Sequence, residues 1–169
     1  MRRAFTLIEL IISITILSVI MIFLYQSYSS LNSSNKIYMD ESKKIKDIEE
    51  IKKIIFLDLS LKLHGGYDIL NQDPKEDIVF FQSSNSIHKR YDPYVAYIAK
   101  DSKLYRLESL KKFEHYPLDN DMYFDIDELG DIESFRIYRS NNEEKELFLV
   151  HVDFKDKKEI ILKVNTLNE

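Results

Sequence analysis

From Phe5 to Tyr25 the chain reads FTLIELIISITILSVIMIFLY, an apolar run whose only charge is Glu9. At ~1.5 Å per helical residue, about 20 such residues match a ~30 Å hydrocarbon core, so the pattern predicts a membrane-spanning helix over 5–25. Neither proline nor glycine occurs between Phe5 and His64, and the helix is expected to continue over 26–64. Its weak point is Ser27 to Asn35, where serine and asparagine compete with the helical backbone for hydrogen bonds, so a kink or a melted turn is expected there. Beyond it Ile45, Ile48, Ile51, Ile55 and Leu59 recur at three- and four-residue spacing among Lys, Asp and Glu. That spacing gives one apolar stripe, expected to pack on its own domain. His64-Gly65-Gly66 is the expected helix stop. The period then shortens to that of strands at 77–81, 94–99, 104–107, 134–138, 147–154 and 159–164, all short runs of aromatic and β-branched residues. Asn71 to Lys75 and Asn141 to Lys145 read as exposed loops. The expected class is α+β, a long helix packed on an antiparallel sheet that occupies 65–169.

Composition narrows the chemistry. A chain of 169 residues is the size of one domain, and it has no cysteine, so disulfides, thiolate metal sites and cysteine nucleophiles are all excluded. Three glycines leave no room for a glycine-rich phosphate loop. The net charge of −5 argues against direct contact with nucleic acid, which needs a basic surface. His64, His88, His115 and His151 lack metal-ligand spacing and read as surface or turn residues. Asp119-Asn120-Asp121 with Asp125, Asp127 and Glu128 forms an oxygen-rich stretch, read as a solvated acidic loop. It lacks the glycine and the spacing of an EF-hand, although calcium is the ion it would suit. No Gly-x-Ser-x-Gly turn or other catalytic constellation is present, no cofactor is implied, and the chain reads as a non-enzyme.

Arg2 and Arg3 precede the span, which places the N-terminus in the cytoplasm and the rest of the chain outside. The apolar run exceeds the 7 to 15 residues of a secretory signal, and its small residues, Ser27, Ser29 and Ser30, lie beyond it. A carboxylate in a spanning helix costs about 2.5 to 3.5 kcal/mol at the bilayer centre, so Glu9 calls for a partner or for a route to the headgroups.

Arg3-Ala4-Phe5-Thr6-Leu7-Ile8-Glu9-Leu10, followed by the unbroken Ile/Leu/Val run, closely resembles the N-terminus of type IV prepilins and type II secretion pseudopilins. The resemblance implies a pilin-like fold and a cut by the prepilin peptidase between Ala4 and Phe5. It also implies methylation of the new Phe5 amine, leaving Met1 to Ala4 as the leader. Alanine stands where the family usually has glycine before the cut, and a small residue is kept. The family's glutamate maps onto Glu9, whose implied role is assembly: its carboxylate would pair with the N-terminal ammonium of a neighbouring subunit. Loss of Arg2 and Arg3 would bring the net charge to −7, with 22 basic against 29 acidic residues.

Tyr94-Val95-Ala96-Tyr97, Leu104-Tyr105-Arg106 and Phe135-Arg136-Ile137-Tyr138 resemble, more loosely, J-type minor pseudopilins and their PilW-like minor-pilin relatives. What this implies is a minor subunit that joins other major and minor pilins or pseudopilins in a tip or priming complex. The inner-membrane assembly platform and the lipid bilayer would be its further partners, and the bacterial inner membrane its place, with the head periplasmic. Secretion, pilus assembly and DNA uptake all fit that description. A membrane-anchored periplasmic sensor or binding domain would also show one span and one head. It would have no reason to carry Phe-Thr-Leu-Ile-Glu-Leu at this place.

Overall fold

The computed structural model describes residues 6–119, 121–140, 146–156 and 158–167. One helix, α1, spans Leu7–Ser60, and the chain divides into two compact units, one up to Ile45 and one from Lys46 onward. In the first unit α1 is exposed along its length, and among the described helices it is the one long and apolar enough to cross a membrane. The hydroxyls within the apolar run are satisfied locally: Ser13 donates to the Glu9 carbonyl at 2.7 Å, Thr15 to Ile12 at 2.8 Å and Ser18 to Ile14 at 2.8 Å. These three hydroxyls therefore need no water, as a hydrocarbon solvent requires. The expected break at Ser27 to Asn35 is absent, and the helix passes through it intact. Serine and asparagine each cost the helix only a few tenths of a kcal/mol, roughly, and without proline or glycine no backbone bond is lost.

In the second unit the apolar stripe does what its spacing predicts, with one exception. Ile51, Ile55 and Leu59 are buried and Ile48 packs against them, while Ile45 remains 56% exposed and takes no part. The helix ends at Ser60, earlier than His64-Gly65-Gly66, and the chain passes directly into β1, Lys62–Asp73. The cause is tertiary. Ser84 donates its amide to the Leu61 carbonyl at 3.0 Å, and the buried Lys62 ammonium binds Glu146 at 2.9 Å, so the chain is drawn into the sheet before the glycines arrive. Gly66, at φ +84°, sits inside β1 where the register with β2 slips between Lys62 and Tyr67, a backbone irregularity that glycine tolerates. The segment expected as a loop at Asn71 to Lys75 is mostly strand, with Pro74 and Lys75 making the turn.

The sheet is an antiparallel meander in the order β1 to β7. After β1 come β2 (Glu76–Ser83), β3 (Tyr94–Lys100), β4 (Lys103–Ser109), β5 (Asp125–Arg139), β6 (Leu147–Phe154) and β7 (Ile160–Asn165). Strand β5, at 15 residues, is three times as long as the run predicted at 134–138. Its first part pairs with β4 and its second with β6, and the registers slip at Leu104/Tyr105 and Ile132/Ser134. Gly130, at φ +135°, lies at the change of partner. The second part also returns to β2 through a parallel contact, Glu76 with Phe135. There the buried Asp77 carboxylate accepts from the Ile137 amide at 2.9 Å, standing in for a backbone acceptor. One face of the sheet packs on α1 through Phe81, Tyr97, Phe135 and Val150. The other face, around Ile78, Phe80 and Leu107, is covered by the β4–β5 connection, whose Phe113 stacks on Phe80 at 5.6 Å between centroids.

One polar cluster lies inside the helix-side core. Asp58, completely buried on α1 between two leucines, receives Arg106 in bidentate fashion, Nε at 2.7 Å and Nη2 at 3.1 Å. It also accepts from the Tyr97 hydroxyl at 2.6 Å and from Asn85 Nδ2 at 2.6 Å. Arg106 Nη1 reaches Glu108 at 2.8 Å, and Glu108 accepts from the Ser86 hydroxyl and, at 3.1 Å, from the Ile87 amide. Burial opposes the charge on Arg106, but the hydrogen bonds and charge of Asp58 outweigh it and hold the guanidinium ionised. Burial, with the Asp58 charge, pushes the Tyr97 hydroxyl well above its usual range and keeps it a donor. Burial also works against the Glu108 carboxylate. The Ser86 and Arg106 hydrogen bonds and the Arg106 charge overcome that and bring it below the ordinary carboxylate value.

Two outcomes are expected. A fragment starting after Ser30 should be a soluble monomer, and in it Asp58→Ala should cost about 3 to 5 kcal/mol in urea unfolding, because the buried Arg106 loses its bidentate partner while Tyr97 and Asn85 lose their acceptor. The second outcome concerns acid. The folded state holds Glu108 below its unfolded value of about 4.3, so its contribution is complete above that pH and fades as pH falls through the folded value. Glu108→Gln should therefore flatten the stability profile below about pH 4; an unchanged slope would contradict this.

Candidate functional site

Helix α1 begins with a reciprocal cap. Thr6 is the N-cap residue, and its carbonyl accepts the amide of Leu10 at 3.3 Å, the first helical bond. Three residues on, Glu9 turns back: its Oε2 accepts from the Thr6 amide at 2.9 Å and from the Thr6 hydroxyl at 2.7 Å. The Glu9 amide points to the Thr6 hydroxyl at 3.4 Å and completes a capping box. The first amides of a helix have no partners within it, and here the side chains of Thr6 and Glu9 supply them. The carboxylate also lies at the positive end of the helix dipole. Both contacts fall on Oε2, which leaves Oε1 without a hydrogen-bond partner among the described residues. Glu9 is therefore held in place while half of its acceptor capacity stays available.

Of the other residues singled out in the sequence, Ala4 and Phe5 lie outside the described residues. Thr6 had a readable signal: Thr-x-x-Glu before an apolar run is a helix N-terminus signature, and it identifies the partner of Glu9 directly.

The acidic stretch is not a solvated loop throughout. Asp125, Asp127 and Glu128 belong to β5, and each faces a basic side chain. Arg90 Nε binds Asp125 at 2.9 Å, His88 Nε2 lies 3.0 Å from Asp127, and Lys103 binds Glu128 at 2.6 Å. Asp119 lies 3.2 Å from His115. Strand alternation puts Asp125 and Asp127 on one face and Glu128 on the other, each with a basic partner of its own, and among the described residues no three His, Cys, Asp or Glu side chains form a metal-sized group. Ser86, His88 and Arg90, on the connection between β2 and β3, meet Glu108, Asp127 and Asp125 one for one, and this clasps the loop to the sheet. His151 lies 3.2 Å from Glu159 at the surface.

The functional residue that sequence reasoning missed is Asp58. It sits one position away from Leu59 on the buried face, within an apolar run, and nothing local marks it as the partner of Arg106 and Tyr97. Tyr97 and Arg106 are direct neighbours in the β3–β4 register.

Residues 1–25 match the family model described as the prokaryotic N-terminal methylation motif. No curated protein and no solved structure matches the chain. A methylation motif at the N-terminus, an apolar helix capped by the motif's own threonine and glutamate, and an antiparallel sheet following it make an α+β, pilin-like arrangement. The prepilin-type motif over residues 1–25, continuous with a helix long and apolar enough to cross a membrane, supports a membrane-anchored, pilin-like subunit processed by a prepilin peptidase.

Proposed function

We propose that this protein is a minor subunit of a pilin-like filament, placed in a tip or priming complex of a secretion, pilus or DNA-uptake system. The peptidase cuts between Ala4 and Phe5 on the cytoplasmic side, and the new Phe5 amine is methylated. The span over 5–25 then holds the subunit in the inner membrane with its head periplasmic, until it joins other pilins at the assembly platform. The resemblance of the Tyr94–Tyr97 and Leu104–Arg106 segments to J-type pseudopilins supports the minor role. The observation that carries the reading is the half-occupied Glu9 carboxylate beside the matched cleavage motif.

In this reading Glu9 has two separable duties. Its Oε2 caps α1 through Thr6. Its Oε1 remains for a second donor, and a neighbouring subunit's N-terminal ammonium supplies one with the opposite charge. In lipid a carboxylate and an ammonium each relieve the other's desolvation, and removing one strands the other at roughly 3 to 5 kcal/mol. That loss falls on assembly, because insertion is easier for a helix without a charge.

Processing is tested by the mass of the protein extracted from membranes that contain an active prepilin peptidase. The expected species starts at Phe5 and carries one methyl group, and Ala4→Leu should accumulate as precursor. Recovery of intact Met1 from such cells would sink the filament reading.

Assembly is tested by separating the two duties of Glu9. A capping box accepts glutamine as well as glutamate, so Glu9→Gln keeps the cap and loses the charge, whereas Glu9→Ala loses both. Both variants should be cleaved and inserted normally, and both should fail to crosslink to filament partners. Only Glu9→Ala should fray the first turn of α1, read as faster amide exchange at residues 7–9. Parental levels of assembly in either variant would leave Glu9 with the cap alone.

A further inference from the structure

Helix α1 places a large apolar side chain at every seventh position: Leu10, Leu17, Leu24, Leu31, Tyr38 and Ile45. All of these are exposed in the isolated chain. The alternate positions of the same seam are Ile14, Met21, Tyr28, Asn35 and Ser42, so the spacing alternates between four and three residues. An ordinary helix drifts about 20° per heptad against such a repeat, and a strict repeat sustained this long is the pattern of a left-handed coiled coil. Within lipid an apolar repeat is uninformative because every position is apolar. Beyond it the repeat discriminates: of the six apolar residues between Gln26 and Ile45, four (Tyr28, Leu31, Tyr38 and Ile45) fall on the seam. The seam then stops. Glu49 and Lys52 take its next two positions and pair with each other at 3.5 Å, and the buried residues Ile51, Ile55 and Leu59 belong to the head's own core. The exposed Ile45, which the core leaves out, is the last rung.

We propose that this seam pairs α1 with α1 of a second copy of the chain, in parallel and in register. The charges name the occupant. Glu41 and Lys46 flank the seam five residues apart, the separation at which one helix of a parallel pair meets its partner across the interface. In register, Glu41 of each copy faces Lys46 of the other, giving two symmetric ion pairs. Five residues apart on one helix they do not face each other. Asn35 meets its own counterpart inside the seam, the polar contact that fixes register in two-stranded coils. The seam is ~52 Å long, which calls for a partner helix that crosses the lipid and continues beyond it, as α1 itself does. Parallel orientation rests on the membrane-anchored reading given above. Glu9 lies off the seam, beside Leu10, and stays available. This pairing is distinct from a filament contact. Bringing Glu9 to a neighbour's Phe5 amine offsets two helices by about four residues, or ~6 Å, whereas the homodimer has no offset. The dimer is therefore a state of the subunit in the membrane before it is drawn into a filament.

The test uses the full, uncleaved chain in phosphatidylcholine vesicles that hold no peptidase, so its result is independent of processing. The chain has no cysteine of its own. Leu31→Cys and Ile45→Cys, each alone, should give a disulfide-linked dimer under copper phenanthroline, and Ser33→Cys, on the opposite face, should not. Glu41→Lys should weaken association on the order of five- to tenfold, since two attractions become two repulsions. Adding Lys46→Glu to it should restore the dimer. Lys44, which contacts Glu41 within the helix at 3.4 Å, is unchanged in both variants and cannot account for the rescue. Crosslinking at Ser33→Cys equal to that at Leu31→Cys would overturn the proposal, as would failure of the charge swap to rescue. A mixture of Leu31→Cys and Tyr38→Cys chains that crosslinks better than either alone would overturn it too, and would assign the seam to a staggered neighbour.

Discussion

The buried pair between Asp58 and Arg106 sets the phase of α1 against the sheet. A stripe of isoleucines alone would allow the helix to slide or roll by a fraction of a turn at little cost, since apolar contact is non-directional. A carboxylate with a bidentate guanidinium, a phenol and an amide allows one position. With Asp58 in place, Ile51, Ile55 and Leu59 meet the sheet. The same carboxylate selects Tyr97 and Arg106 on β3 and β4 and Asn85 on the connection before them, so three parts of the head converge on a single side chain. Such an arrangement contributes specificity more than stability, because the cost of desolvating the two charges is close to what their attraction returns.

Helix α1 thus carries a carboxylate near each end, and the two solve different problems. Asp58 has both oxygens occupied by four donor groups, is closed to solvent and is structural. Glu9 has one oxygen engaged by its own threonine and one without a partner among the described residues. A saturated carboxylate has nothing left to offer a partner chain, whereas a half-saturated one in an apolar segment seeks a cation. The same contrast holds for the apolar residues. After Lys46, Ile48, Ile51, Ile55 and Leu59 are taken up by the head's own core, and those before it remain exposed, which is what a chain needs if one part of its helix is to fold and another is to meet lipid or other helices.

The acidic stretch shows how a local pattern can mislead. Several carboxylates close together in sequence read as a solvated acidic loop. Once β5 is formed Asp125 and Asp127 share one face and Glu128 takes the other, and Arg90, His88 and Lys103 pair with them separately. The clasp on the β2–β3 connection joins residues 22 to 39 positions apart that no local reading could pair.

The span, the methylation motif, the amphipathic stripe and most of the strands were legible because each rests on a short-range property: apolar length, a local capping signature, or helical or strand period. Strand β1 was not legible, since Lys-Leu-His-Gly-Gly has no strand propensity and becomes strand only by pairing with β2. The first half of β5 was hidden in the same way, its acidic residues made strand-like by β4 alongside. Asp58 stood in plain view as one charge within an apolar run, but its meaning lay 39 and 48 residues away, at Tyr97 and Arg106. By itself the sequence determined that this protein has an apolar N-terminal helix, a prepilin-type start and a β-rich remainder. Only the tertiary structure decided where the helix stops and which carboxylates are saturated, because both depend on partners that long-range packing brings within hydrogen-bonding distance.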